Sequence, residues 1–295
     1  VPFAVNKSVM SQTKFKLVEC PRDAMQGLHD FVPTQLKIEY LNLLLQVGFD
    51  TLDFGSFVSP KAIPQMADTA EVFANLDLDT TNTKLLAIVA NLRGVQNAVI
   101  HPEINYLGFP FSISETFQQR NTNSSIAQSL NTVEEMLSHC EKNNKTAVVY
   151  LSMGFGNPYG DEWNYEIVEK WADILVNKGV QILSLADTVG VSTPEKINTI
   201  LPKLISRFSN TEIGIHLHST PLERLEKIEA AYNSGIKRID SALKGFGGCP
   251  MATDDLTGNI ATEDVIYYLN SKGENLNLNM DKWQEAINFS AQIFK

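Results

Sequence analysis

Two histidines, His216 and His218, stand two residues apart in the run Gly214-Ile215-His216-Leu217-His218-Ser219-Thr220. The β-branched and apolar neighbours predict a strand, in which alternate side chains share a face. Both imidazoles then point one way, and Ile213, Ile215 and Leu217 the other. A pair so placed offers two nitrogens to one divalent cation, or else forms a hydrogen-bonded polar patch inside a barrel. Asp23 offers a carboxylate, and amide oxygens stand at Gln26, Asn91 and Asn259. With the two imidazoles they make a mixed oxygen and nitrogen set, which suits six-coordinate Mg2+ or Mn2+ rather than a closed thiolate zinc site. Iron oxygenases use two histidines and a carboxylate as well, but on other folds. Arg22, beside Asp23, carries forked donors suited to an oxyanion. Cys249 lies in Gly245-Phe246-Gly247-Gly248-Cys249-Pro250, whose three glycines let the backbone swing. Its thiol could deliver or remove a proton beside a cation, or be an inert residue of a tight turn.

Bringing such distant residues together requires a particular alternation of elements. Apolar patterning predicts strands at 15–19, 49–53, 84–89, 104–109, 146–152 and 180–185, then the histidine strand, then 237–242. Between them, helices are expected at 34–47 (capped by Thr34, stopped by Gly48), 68–75, 92–100, 125–142 and 163–178. Further helices begin at Thr193-Pro194, at the capping-box pattern Thr220-Pro221-Leu222-Glu223 and at Thr262, and the last covers 280–294. Residues 22–27 read as a loop. Eight strand–helix units of about 30 residues each predict a single-domain (β/α)8 TIM barrel over 11–295. Residues 1–10 are set aside as leader or cloning residues. A doubly wound sheet would want GxGxxG after the first strand, where this chain has RDAMQG, and no GKS or GKT follows any strand.

The 295 residues are 43% hydrophobic with a net charge of −10, long enough for one large core and without the basic surface that nucleic acid requires. No apolar run approaches the ~20 residues of a membrane span. Three widely spaced cysteines, Cys20, Cys140 and Cys249, with no CxxC, point to a reducing, cytoplasmic setting.

In a barrel of this kind the loops after the strands build the site. The first strand contributes Arg22, Asp23 and Gln26, the second Asp53 and Ser56, the third Asn91 and the sixth Asp187. The seventh contributes His216 and His218, and the eighth the Cys249 loop and Asn259. Taken alone, Asp23 or Asp187 could simply cap a helix or sit in an ion pair; together these residues converge on one rim. Gln26, Ser56 and Asn91 are the candidates for holding substrate.

The stretches VECPRDAMQ (18–26), SFVSPKAIPQM (56–66), SLADTVGVSTP (184–194), GIHLHST (214–220), GFGGCP (245–250) and TGNIATED (257–264) resemble the 3-hydroxy-3-methylglutaryl-CoA lyase family, over nearly the whole chain and in order. The related synthases carry a GERAGN-like run where this chain reads CPMATDDLTGN. The resemblance implies a metal held by Asp23, His216, His218 and Asn259, an enolate-stabilising Arg22, a catalytic loop thiol at Cys249 and acidic support from Asp53 and Asp187. It also implies an acyl-CoA substrate, a retro-Claisen cleavage to acetoacetate and acetyl-CoA, and a homodimer. The chain departs from the family pattern at Asp53, where glutamate is usual, and at Ser219, where the pattern reads HxHDT. Further departures are Gly27-Leu28, Ala186 and Lys244. An acyl-CoA synthase or aldolase of the same fold and a non-catalytic acyl-CoA-binding relative are the competing readings.

Overall fold

A computed structural model describes residues 14–248 and 257–295. Its strands are Lys16–Glu19 (β1), Thr51–Ser56 (β2), Lys84–Ile88 (β3), Ile104–Ser112 (β4), Thr146–Ser152 (β5), Ile182–Asp187 (β6), Glu212–Leu217 (β7) and Arg238–Ser241 (β8). All pair in parallel with their sequence neighbours, and β8 closes on β1, so the sheet is a barrel in the order β1 to β8. Among the described residues the helices are Pro21–Gln26 (α1), Thr34–Val47 (α2), Thr69–Phe73 (α3), Leu92–Val99 (α4), Glu115–Thr122 (α5) and Ile126–Lys142 (α6). They continue with Tyr165–Asn177 (α7), Pro194–Arg207 (α8), Arg224–Asn233 (α9), Thr262–Ser271 (α10) and Met280–Ile293 (α11). The architecture is the expected single-domain (β/α)8 barrel. The segment 1–10 and Cys249 lie outside the described residues.

Local chemistry explains most boundaries. Ser125 accepts from the Gln128 backbone while the Gln128 side chain accepts from Ser125 N–H, a complete capping box at the start of α6. Thr193 caps α8 with Pro194 in its first position, and Gly48 ends α2 at φ +86°. Other expectations fail for identifiable reasons. Residues 21–26 form a helical turn, because Pro21 starts it without losing a needed donor. Thr34 and Thr262 sit inside their helices, their hydroxyls turned to Asp68 and Glu19. The Thr220–Glu223 pattern forms a turn, with Glu223 N–H donating to the Thr220 carbonyl, and α9 begins only at Arg224. Helix α5 is polar and lacks an apolar stripe; Ser114 caps it, and the Asp161 carboxylate reaches back to Ser114 and Thr116.

The barrel interior is divided. On the β3–β6 side it is filled by Leu86, Ile88, Tyr106, Val148, Tyr150 and Ile182. On the β7, β8 and β1 side it is ionic: Lys16 and the fully buried Arg238 both pair with Glu212 at the lower end. Arg238 crosses the interior over Gly214, where a β-carbon would lie 3.1 Å from Arg238 Cδ. The polar side continues upward through Asp240 to His216, its partner in register on β7. The main core lies between strands and helices, and helix α11 packs against α2 to cover one flank.

Candidate active site

Parallel strands all deliver their C-terminal ends to one rim, and the chemically distinctive residues gather there. Asp23 sits in the first turn of α1, directly after β1; His216 is on β7 and His218 follows it. Asn259 reaches them because residues 258–260 lie alongside the end of β7. Ser219 N–H donates to the Gly258 carbonyl and Ile260 N–H to the Leu217 carbonyl. Ligand atoms of Asp23, His216 and His218 all fall within 4.8 Å of one another. Asn259 Nδ2 donates to Asp23 Oδ2 at 2.7 Å.

The hydrogen bonds fix what these groups offer. His218 Nδ1 faces the Thr257 carbonyl at 2.9 Å; a carbonyl only accepts, so the proton is on Nδ1 and Nε2 carries a lone pair. His216 Nδ1 lies 3.3 Å from Asp240 Oδ2, which favours the same tautomer. The two Nε2 atoms then face each other at 3.2 Å. Two lone pairs and the Asp23 carboxylate converging in this way repel unless a proton on one imidazole or a cation lies between them. Ligands about 2.1 Å from an ion at right angles stand about 3.0 Å apart, close to the observed spacing. Asn259 Oδ1 is buried with no hydrogen-bond partner among the described residues, a further acceptor left over for a cation. The donor set is oxygen and nitrogen throughout, and it fits a hard divalent ion.

The electrostatics follow. Burial acts against the charge of Asp23, but Arg22, both imidazoles and the Asn259 amide outweigh it and hold the carboxyl at about 2. Burial and then the charge of His216 push His218 down to about 4. Burial works against protonation of His216 too, yet Asp240 and Asp23 raise it. Arg22 is tied into the same cluster. Its Nε and Nη2 fork onto Asp53 at 3.1 and 2.5 Å, and Nη1 donates to Asp23 and Gln26, leaving one Nη2 hydrogen for a ligand. Burial carries the Asp53 carboxyl up to about 6 against the pull of Arg22.

Arg22, Asp23, Gln26, Asp53, Ser56, Asn91, His216 and His218 line one cavity of about 540 Å3. Several have tasks beyond facing it. Gln26 spends its amide on Arg22 and Asp23; Ser56 Oγ donates to the Ile88 carbonyl; Asn91 caps α4 by accepting from Gly94 N–H. Asp187 is not among these converging ligand atoms. Its oxygens accept from Val191 and Ser192 N–H and so shape the loop after β6, with Lys227 Nζ 3.6 Å away. Gly247, at φ +96°, lies against the site; a β-carbon there would come within 2.8 Å of Asn259 Nδ2 and 2.9 Å of the Asp23 carbonyl. Asp240 and Cys20 are additional residues of this site. Asp240 was detectable as a lone acid alternating inward on β8, while a single cysteine beside a proline carries no such signal.

Fold and site together define a (β/α)8 protein with a candidate metal-binding group on the C-terminal rim of the barrel. The chain belongs to the HMGL-like family, whose model matches residues 14–290. It is 37% identical over 277 residues to the cytoplasmic 3-hydroxy-3-methylglutaryl-CoA lyase of Rattus norvegicus, covering 93% of this chain and 79% of that protein. It is 34% identical over 266 residues to hydroxymethylglutaryl-CoA lyase YngG of Bacillus subtilis, covering 90% and 88%. Among solved structures, the Bacillus subtilis HMG-CoA lyase superposes with a TM-score of 0.88 at 32% identity, covering 96% of this chain and 94% of that one. An HMG-CoA lyase from A. baumannii in complex with coenzyme A and 3-methylmalate gives 0.87 at 30%, covering 95% and 91%.

Proposed function

We propose that the protein is a carbon–carbon lyase that cleaves 3-hydroxy-3-methylglutaryl-CoA to acetoacetate and acetyl-CoA. The observation that carries the reading is the convergence of Asp23, His216 and His218 on one point at the floor of a cavity that also holds Arg22. Asp23, His216, His218 and Asn259 would hold Mg2+ or Mn2+, and such an ion supplies the Lewis acidity that makes a tertiary hydroxyl acidic. Asp23 or one of the histidines takes the hydroxyl proton. The carbon–carbon bond then breaks, its electron pair passing to the thioester fragment as an enolate while the hydroxyl carbon becomes the ketone of acetoacetate. Arg22, anchored by Asp53, points its remaining donor at the enolate oxygen. Cys249 on the glycine loop gives the carbon its proton. Gln26, Ser56 and Asn91 line the path of the substrate, and Asp187 supports the rim through its loop.

We further take the protein to be a cytoplasmic homodimer. Cys20 and Cys140 are free and buried, which agrees with a reducing compartment, and among the described residues no helix is long and apolar enough to cross a membrane. Incubation with substrate and Mg2+ or Mn2+ should release acetoacetate and acetyl-CoA in equal amounts, and chelator should abolish the release. Cys249→Ala should retain the cation and lose most of the rate. No product with any divalent metal rejects the activity, and full rate in the variant rejects the role of the thiol. Sedimentation at micromolar concentration should give twice the chain mass; a monomer removes the dimer.

A further inference from the structure

Beneath the oxygen and nitrogen cluster lies a second set of ligand atoms. Cys20 Sγ, a nitrogen of His216 and an oxygen of Asp240 all fall within 4.8 Å of one another. Cys20 closes β1 on the ionic side of the barrel and lines the active-site cavity, so the position is reachable through the mouth. Among the described residues its thiol has only a weak 4.0 Å contact, with the Val18 carbonyl. Asp240 turns Oδ2 to His216 Nδ1, and its other oxygen, Oδ1, is fully buried with no hydrogen-bond partner among the described residues. A buried acceptor of this kind is costly unless a proton donor or a cation meets it.

We propose that Cys20, His216 Nδ1 and Asp240 form a second cation site, distinct from the one made by Asp23 and the two Nε2 atoms, that takes a thiophilic divalent ion of the Zn2+ type. A zinc ion binds sulfur at about 2.3 Å and imidazole nitrogen or carboxylate oxygen at about 2.0–2.2 Å, so tetrahedral ligand atoms stand roughly 3.3–3.8 Å apart. Side-chain adjustments of about an ångström bring these three atoms to that spacing. Softness separates the two positions: the upper set has no sulfur and suits a hard ion, while the lower one has a thiolate. Burial first, and then the carboxylates of Asp240, Asp53, Asp23 and Glu19, push the free thiol well up, so without an ion it stays protonated. The same carboxylates make the position attractive to a dication, and coordination deprotonates the thiol outright.

The proton accounting is simple. The Cys20 proton leaves to solvent, one per ion bound. His216 moves its own proton from Nδ1 to Nε2, where His218 Nε2, 3.2 Å away, accepts it. Both Nε2 atoms are then used up, so the soft ion below and the hard ion above exclude each other through one imidazole.

Cd2+ titrated into the metal-free full-length protein tests this, because a cadmium–thiolate bond absorbs in the ultraviolet and Cd2+ alone does not. We expect one equivalent of thiolate absorbance per chain, with one proton released from the thiol. The band should persist in Cys249→Ala, which removes the loop thiol, and vanish in Cys20→Ala and in the size-matched Cys20→Ser. Asp240→Asn should weaken the apparent Cd2+ affinity at least tenfold. Saturating Mn2+ should reduce the band. No band in the wild-type protein, or a band that survives both Cys20 variants, overturns the site, and a band indifferent to saturating Mn2+ overturns the shared imidazole.

Discussion

At the level of single residues, the decisive feature is that each imidazole has one nitrogen committed. Thr257 and Asp240 take the Nδ1 side, and that commitment turns both Nε2 lone pairs toward Asp23. Asp240 would therefore act on a bound cation through His216. Asp240→Asn keeps the volume but removes the charge that holds the ring. Mn2+ affinity, measured by calorimetry, should fall by about 10–100-fold, with the fold intact by circular dichroism. Unchanged affinity would show that the strand alone orients His216. The shortened acid at position 53 is equally informative, since an aspartate still spans both Nε and Nη2 of Arg22. The departure from glutamate is thus absorbed by a direct fork. At Ser219 the backbone N–H donates to the Gly258 carbonyl and the hydroxyl to the Thr220 carbonyl, and neither bond explains the serine.

At the level of elements, the rim depends on how β1 is joined to the chain that follows β8. Glu19, fully buried at the end of β1, accepts from Leu243 N–H at 2.8 Å and from Thr262 Oγ1 at 2.5 Å, and Thr262 bonds on to Ser241. Burial drives the Glu19 carboxyl up to about 8 against these hydrogen bonds. The folded state then holds a proton that the unfolded chain loses near the usual carboxylate value. Stability from this group is complete below the usual carboxylate value of 4.5, declines as pH rises from there, and is lost once pH has passed about 8. Glu19→Gln should match the wild type near pH 5 and exceed it above pH 8, by an amount on the order of a few kcal/mol, in urea unfolding at each pH. Parallel pH profiles for the two proteins would contradict this. Helix α6 gives a test without catalytic content: Ser125→Ala breaks a capping box and should cost about 1 kcal/mol of stability while leaving turnover unchanged.

The elements also show what a reader of the sequence could and could not see. The strong apolar runs at β5 and β7, and the caps Ser125 and Thr193, are local signals, and local signals survive folding. The run 21–26 and the polar helix α5 carry no period, because the one is a single turn and the other is held by Ser114 and Asp161 from outside. Asp23, His216 and His218 could be gathered in advance because a parallel barrel sends every strand end to one rim, while Asn259 was singled out beside them by the family resemblance. Asp187 could not be sorted from them by residue type, since an acid at a strand end serves a loop as readily as an ion; the resemblance gave it a supporting place, and its bonds to Val191 and Ser192 N–H tie it to the loop after β6.

For the molecule as a whole, the divided barrel interior is the organising fact. The apolar half beneath β3–β6 provides a dry wall, and the ionic half from Glu212 and Arg238 up to Asp240 leads to the cation position. Buried carboxylates at Glu19, Asp23, Asp53 and Asp240 stand near the ends of β8, β1 and β2, and their field favours a divalent cation there. The account stands on one claim: a single cation held by Asp23 and the paired histidines is what allows the carbon–carbon bond to break. The direct measurement is to strip the protein of metal, add Mn2+ in steps, and follow bound Mn2+ and acetoacetate formation together. Turnover should rise in proportion to bound ion and saturate at one per chain, and Asp23→Asn should show neither binding nor turnover. Product from the stripped protein, or wild-type rates in Asp23→Asn, would contradict the claim.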